Sequence, residues 1–187
     1  MGRADAARNA ERLLTAAREL LDEAGSEVPL DEVAKRAGVG NATLYRHFPT
    51  RADLLVAVYA DEVDRLVRLG ETPAAGDPVD ALFAWLDAFV DHVATKRALA
   101  LAATEGPAAR RTELFDRWHR AINETAGALL TRAADGVRAG LTVPDLMALT
   151  AGVALAATDA AHARRLLTVL RTGIQPGAGH PGPAGQS

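Results

Sequence analysis

Residues 30–48, Leu-Asp-Glu-Val-Ala-Lys-Arg-Ala-Gly-Val-Gly-Asn-Ala-Thr-Leu-Tyr-Arg-His-Phe, constrain the fold more than any other part of the chain. They read as two short helices joined by a glycine-centred turn. Val33, Ala34 and Ala37 form the inward stripe of the first helix, Val39 plugs the turn, and Leu44 and Phe48 close from the second. Small Ala34 lets the helices approach, and Gly38 is free to take the positive φ that ends the first helix. Asn41, Thr43, Tyr45, Arg46 and His47 are left outside, all hydrogen-bonding groups on one short helix. Such a face suits the major groove of DNA.

Net charge does not mark this end of the chain as a nucleic-acid module. Residues 1–55 hold eight cations (Arg3, Arg8, Arg12, Arg18, Lys35, Arg36, Arg46, Arg51) against nine acids. Distribution matters more. Residues 34–52 contain Lys35, Arg36, Arg46, Arg51 and His47 and no acid, while acids gather over residues 19–32. The expectation is a small basic footprint, extended by Arg3 and Arg8 as an N-terminal arm. Phosphate contacts would fix position there, and Asn41, Ala42 and Thr43 would read base edges. The plainer alternative is that Tyr45 and His47 pack on the helix surface and that Lys35, Arg36 and Arg46 are solvated charges.

The rest of the chain reads as helices. Aromatics are only 4% of 187 residues and alanine and leucine dominate, so all-α is the expected class. Cysteine is absent, which excludes disulfides and thiolate metal sites. No signal peptide or membrane span is legible, so a cytoplasmic protein without membrane contact is expected. Apolar periodicity predicts a first helix over residues 6–24, ended by Gly25, and a second starting near Pro29, with the proline in its first turn. Thr50-Arg-Ala-Asp53 is a capping box for a helix running to residue 69, and residues 70–76 form a Pro/Ala/Gly linker. Beyond it, helices are predicted over a stretch opened by Asp77-Pro78, then residues 96–104, 111–139, 142–157 and 160–172.

The words Leu14-Thr-Ala-Ala-Arg-Glu-Leu-Leu21, Ala37-Gly-Val-Gly40, Thr43-Leu-Tyr-Arg-His-Phe48 and Arg51-Ala-Asp-Leu-Leu55 occur in order over about a third of the chain. This stretch resembles the N-terminal domain of the TetR family of bacterial transcriptional regulators. The resemblance implies an N-terminal three-helix helix-turn-helix domain over residues 1–55. It also implies a C-terminal helical effector-binding and dimerisation domain over 56–172, entered by a linking helix at 56–69. Residues 173–187 are expected to be a disordered tail. In such families Tyr45 and His47 would contact phosphates, Thr43 a base edge or backbone, and Arg51 would stand where a lysine is usual, at a helix start whose dipole favours phosphate. Pro29, Gly40 and Ala42 depart from the pattern, so no target sequence is carried over.

Trp85, Phe89 and His92 share one helical face, and Phe115, Trp118, His119 and Ile122 crowd one side of the long helix. They line an apolar effector pocket or simply form core. His92 and His119 lack partners at ligand spacing, so no metal and no cofactor is expected. Leu149, Val153, Ala156, Leu166 and Leu170 lie on the last two helices, which the resemblance makes a homodimer interface. The resulting expectation is a repressor bound as a dimer to a palindromic double-stranded operator and released by a small apolar effector. Two other classes remain: a helical adaptor that no longer binds DNA, and a small helical enzyme. For the latter the chain offers no nucleophile elbow, phosphate loop or paired-histidine metal helix.

Overall fold

The computed structural model describes residues 3–24, 28–72, 76–102 and 108–176. Among them the chain is all helical: α1 Arg3–Ala24, α2 Leu30–Ala37, α3 Asn41–His47, α4 Arg51–Glu71, α5 Pro78–Ala102, α6 Ala108–Arg132, a 3-10 turn Ala134–Gly136, α7 Val143–Ala156 and α8 Ala160–Ile174. The helices form two compact units. The first takes residues up to Arg65 together with Ala94–Trp118, and the second takes Leu66–Val93 and the residues from His119 onward.

In the first unit Leu13, Ala17, Val33, Ala34 and Leu44 are at most 1% exposed, and Phe48, Leu54 and Val58 complete their cluster. Burying each large aliphatic side chain contributes about 1.5–3 kcal/mol, so this small core holds α1, α2 and α3 together. α1 starts earlier than the periodicity suggested. Arg3 and Arg8 belong to the helix, not to an arm, and Arg8 pairs with Asp5 at 2.5 Å. The reason is local: Ala4, Ala6, Ala7 and Ala10 favour helix, and Asp5 suits the first turn.

Pro29 stands one residue outside α2, at its cap with φ −69°, and not in the first turn. Gly38 ends α2 at φ 65°, with its N–H on the Lys35 carbonyl at 3.1 Å and the Val39 N–H on the Ala34 carbonyl at 3.0 Å. Gly40 is the cap of α3, so Asn41 is its first residue and makes no capping bond. The capping box of α4 is formed in full: Thr50 N–H reaches Asp53 Oδ2 at 3.0 Å, and Asp53 N–H reaches Thr50 Oγ1 at 3.1 Å.

Several further helix boundaries differ from expectation: α6 starts at Ala108 instead of residue 111, and α8 runs to Ile174, two residues into the expected tail. The break near residue 95 does not occur, because Val93-Ala-Thr-Lys-Arg-Ala98 contains no glycine or proline to stop α5. α6 ends at Arg132 instead of residue 139, since Asp135-Gly136 disfavours helix and turns into a 3-10 segment. α4 extends to Glu71 and takes in Gly70. There glycine has a packing role, because a methyl group would strike Thr125 Cγ2 and stand 3.2 Å from Trp85 Nε1. The predicted stop at Gly25, residues 103–104 of the helix expected over 96–104, the middle of the 70–76 linker and residues 177–187 of the tail lie outside the described residues.

The second unit is secured by directed contacts as well as by burial of Leu82, Trp85, Leu86, Leu129 and Leu146. The Trp85 indole N–H donates to the Leu66 carbonyl at 2.9 Å, and Arg132 Nη2 donates to the Gly70 carbonyl at 2.6 Å. Arg171 pairs with Asp80 and lies 5.4 Å over the Phe83 ring. Thr142 and Asp145 form the capping box of α7, and Asp159 accepts the His162 N–H at 2.7 Å to start α8. No helix among the described residues is long and apolar enough to cross a membrane.

Candidate nucleic-acid interface

α3 is seven residues long and buries one of them fully, Leu44. With 3.6 residues per turn the other six fall into three pairs four apart. Ala42 and Arg46 lie opposite Leu44 and are exposed. Asn41 and Tyr45 flank them on one side, also exposed, with Tyr45 at 51%. Thr43 and His47 flank the other side and are half-buried, the His47 ring centroid 6.1 Å from that of Phe48. The candidate residues Asn41, Ala42, Thr43, Tyr45, Arg46 and His47 are thus brought onto one continuous surface by a single anchor.

The four nearby cations are not equivalent. Arg36 is engaged: its Nη1 and Nη2 reach the two Glu23 oxygens at 2.9 and 3.0 Å, and Glu19 stands 3.8 Å away. These bonds hold the Glu23 carboxyl below the usual range and raise the Arg36 guanidinium. Lys35 reaches Glu32 at 3.3 Å in an exposed pair that contributes little. Arg46 has no ion pair among the described residues. Arg51, on the first turn of α4, is half-buried, and its Nη2 is enclosed without a hydrogen-bond partner. An enclosed cationic donor without an acceptor is uncommon and is readily satisfied by an anion.

Two supporting groups were not foreseen in the sequence. Arg12 of α1 donates from Nη2 to the Gly38 carbonyl at 3.4 Å, fastening the turn from outside. Arg18 of α1 grips Asp61 and Glu62 of α4. Both pairings span helices distant in sequence, and no spacing rule signals them.

The other candidate sets are placed as follows. In the second unit the Trp85 and Phe89 rings stack at 5.8 Å, and Phe89 and His92 lie 6.0 Å apart. Ile122 is buried and His119 exposed. In the first unit Phe115 and Trp118 pack on Tyr59, with centroids 5.6 and 4.8 Å from it. Burial pushes the Tyr59 hydroxyl up to about 12. None of the seven candidate pocket residues lines the 560 Å³ cavity of the second unit. That cavity is bounded by Val67, Gly70, Glu71 and Arg132 and by Ala121, Glu124, Thr125, Ala128 and Thr131. On α7 and α8, Leu149 and Ala156 are exposed and Val153, Leu166 and Leu170 half-buried.

A helix-turn-helix that presents its second helix, in a chain whose other described residues are helical, is the arrangement of a DNA-binding transcription regulator. Residues 13–58 match the family described as bacterial regulatory proteins, tetR family, and residues 77–176 match the C-terminal domain of SbtR-like transcriptional regulators. The chain belongs to the TetR family. The crystal structure of the TetR regulator SCO0520 from Streptomyces coelicolor is 33% identical with a TM-score of 0.75, over 90% of this chain and 99% of that one. A TetR regulator from Mycobacterium vanbaalenii is 36% identical with a TM-score of 0.73, over 93% and 99%. The HTH-type transcriptional repressor KstR of Rhodococcus jostii is 35% identical over 88 residues, which span 44% of this chain and 42% of that protein. LfrR of Mycobacterium smegmatis, solved with proflavine, shares the fold at 22% identity and a TM-score of 0.63.

Proposed function

We propose that this regulator is a homodimeric repressor that holds a palindromic operator and is released by a small apolar effector. The observation that carries the reading is the α3 surface with the enclosed, partnerless Arg51 Nη2 four residues beyond it. Tyr45, His47, Arg46 and Arg51 take phosphates, with Lys35 and Arg36 at the margin once Arg36 leaves Glu23. Asn41, Ala42 and Thr43 face base edges, and the Ala42 methyl suits a thymine methyl.

Three of the exposed large apolar side chains support dimerisation. Leu149, Leu155 and Val169 are 48, 68 and 69% exposed, all on α7 and α8. A second copy would cover them together with Val153, Ala156, Leu166 and Leu170, and would supply the second recognition helix. Effector binding is proposed within the C-terminal helices, either in the 560 Å³ cavity or by opening the Trp85–Phe89 stack. A ligand that prefers a dimer with wrongly spaced recognition helices releases DNA by linkage alone.

The test is selection of genomic fragments on the wild-type chain, followed by anisotropy titration of Tyr45→Phe and His47→Ala on a recovered fragment. Each is expected to weaken binding by about tenfold, equivalent to about 1.4 kcal/mol, with the dimer intact by gel filtration. Affinity unchanged in both variants would remove α3 from the mechanism. Recovery of no DNA by the wild type would favour the adaptor reading.

A further inference from the structure

α1 and α4 contribute buried apolar side chains to one core cluster, Leu13, Ala17 and Leu20 from α1 and Leu54 and Val58 from α4. Apolar contact is non-directional and tolerates sliding and rotation of one helix on another. One polar device in this unit does not. The Arg18 side chain is only 18% exposed and meets two carboxylates at successive positions of α4: Nη2 hydrogen-bonds Asp61, while Glu62 Oε1 lies 2.7 Å from Nε as an ion pair without hydrogen-bond geometry. Arg65, one turn beyond Asp61, holds the same Asp61 Oδ2 at 3.0 Å. Asp61 and Glu62 diverge around the helix axis, so the directed bond to Asp61 and the close approach of Glu62 are met together only over a narrow range of rotation and height of α4. Slippage in either direction breaks at least one arm.

We infer that Arg18 is a positioning residue for DNA binding, setting the register of α4 on α1 and thereby the placement of Arg51. The inference rests on the DNA-binding reading above for its consequence, but the register itself is measurable without DNA. Ten residues separate Arg51 from Asp61, about 15 Å of helix. A tilt of about 6° at the Arg18 bridge therefore moves Arg51 by about 1.5 Å, half the length of a hydrogen bond. A partly buried ion pair is a poor source of stability but a good register pin, because its directionality penalises every misaligned packing. Burial raises the Glu62 carboxyl against the pull of Arg18 and Arg65, with Asp22 adding to the rise.

The experiment uses the full chain and an operator fragment recovered with the wild type. Arg18→Gln is expected to weaken operator binding about tenfold with an unchanged salt slope, since Arg18 contacts no phosphate. A direct phosphate contact would instead lower the slope by about 0.9. Arg18→Lys keeps the charge without the fork, and a loss of about threefold is expected. Amide hydrogen exchange supplies the readout that needs no DNA. Residues 51–62 should exchange faster in Arg18→Gln, with α2 and α3 as in the wild type. Where Arg18→Gln does not fold, Asp61→Asn and Glu62→Gln each remove one arm and carry the same readouts. Unchanged α4 exchange in a folded variant overturns the register role, and a fallen slope reassigns Arg18 to phosphate. A wild type that selects no DNA defeats the DNA-binding proposal, while the exchange result still decides the register.

Discussion

Gly38 shows how much a single position contributes to this fold. Its φ of 65° is one that L side chains reach only with strain, and a Cβ there would stand 2.7 Å from Arg12 Nη2. Gly38→Ala is expected to cost about 1–2 kcal/mol, read as a lower urea midpoint at fixed protein concentration, with Arg12 displaced from the turn. The glycine was legible in the sequence, as were Val33, Ala34, Ala37, Leu44 and Phe48, because each obeys a rule confined to one or two helical turns. Arg36 was not. It reads as a free cation on a basic stretch, yet Glu23 claims both of its terminal nitrogens. That pairing depends on how α1 crosses α2, which no local spacing encodes.

At the scale of elements, the helix starts were read more securely than the helix ends. Thr50–Asp53 and Thr142–Asp145 are chemical signals with one meaning, and both boxes form. Ends such as that of α5 were misplaced because a composition without strong breakers leaves the stop to tertiary packing. The pairing of α4 with α6 was likewise illegible: Phe115 and Trp118 read as pocket or core, and Tyr59 is the neighbour they pack on. This packing has a measurable alkaline signature. The Tyr59 hydroxyl holds its proton to about 12 in the folded chain, against 10.0 in the unfolded one. Below pH 10 both states are protonated and stability is unaffected. Between 10 and 12 the folded state binds the extra proton, so stability falls as pH rises, by on the order of 2 kcal/mol. Tyrosinate absorbance should show a component near pH 12 that disappears in Tyr59→Phe.

At the scale of the whole molecule, the apolar faces of α7 and α8 make the dimer proposal directly testable. Leu155→Glu with Val169→Glu should shift sedimentation toward the monomer while α1 to α3 keep their helical signal. A pair that remains dimeric would mean these side chains lie outside the contact. The engaged state of Arg36 has a further consequence, one for the living cell. Only Arg46 and Arg51 on the predicted face are without an ion pair among the described residues, and the proposed dimer would hold about four such cations. An operator complex relying on so few loses about a hundredfold in affinity between 50 and 200 mM salt, where grips of six to ten contacts lose about 10³–10⁵. Such a regulator would be poorly retained by bulk chromosomal DNA, and its occupancy would change less through an osmotic upshift than that of a grip with six to ten contacts. By holding Arg36, Glu23 would lower the number of cations that meet DNA and with it the salt dependence of binding.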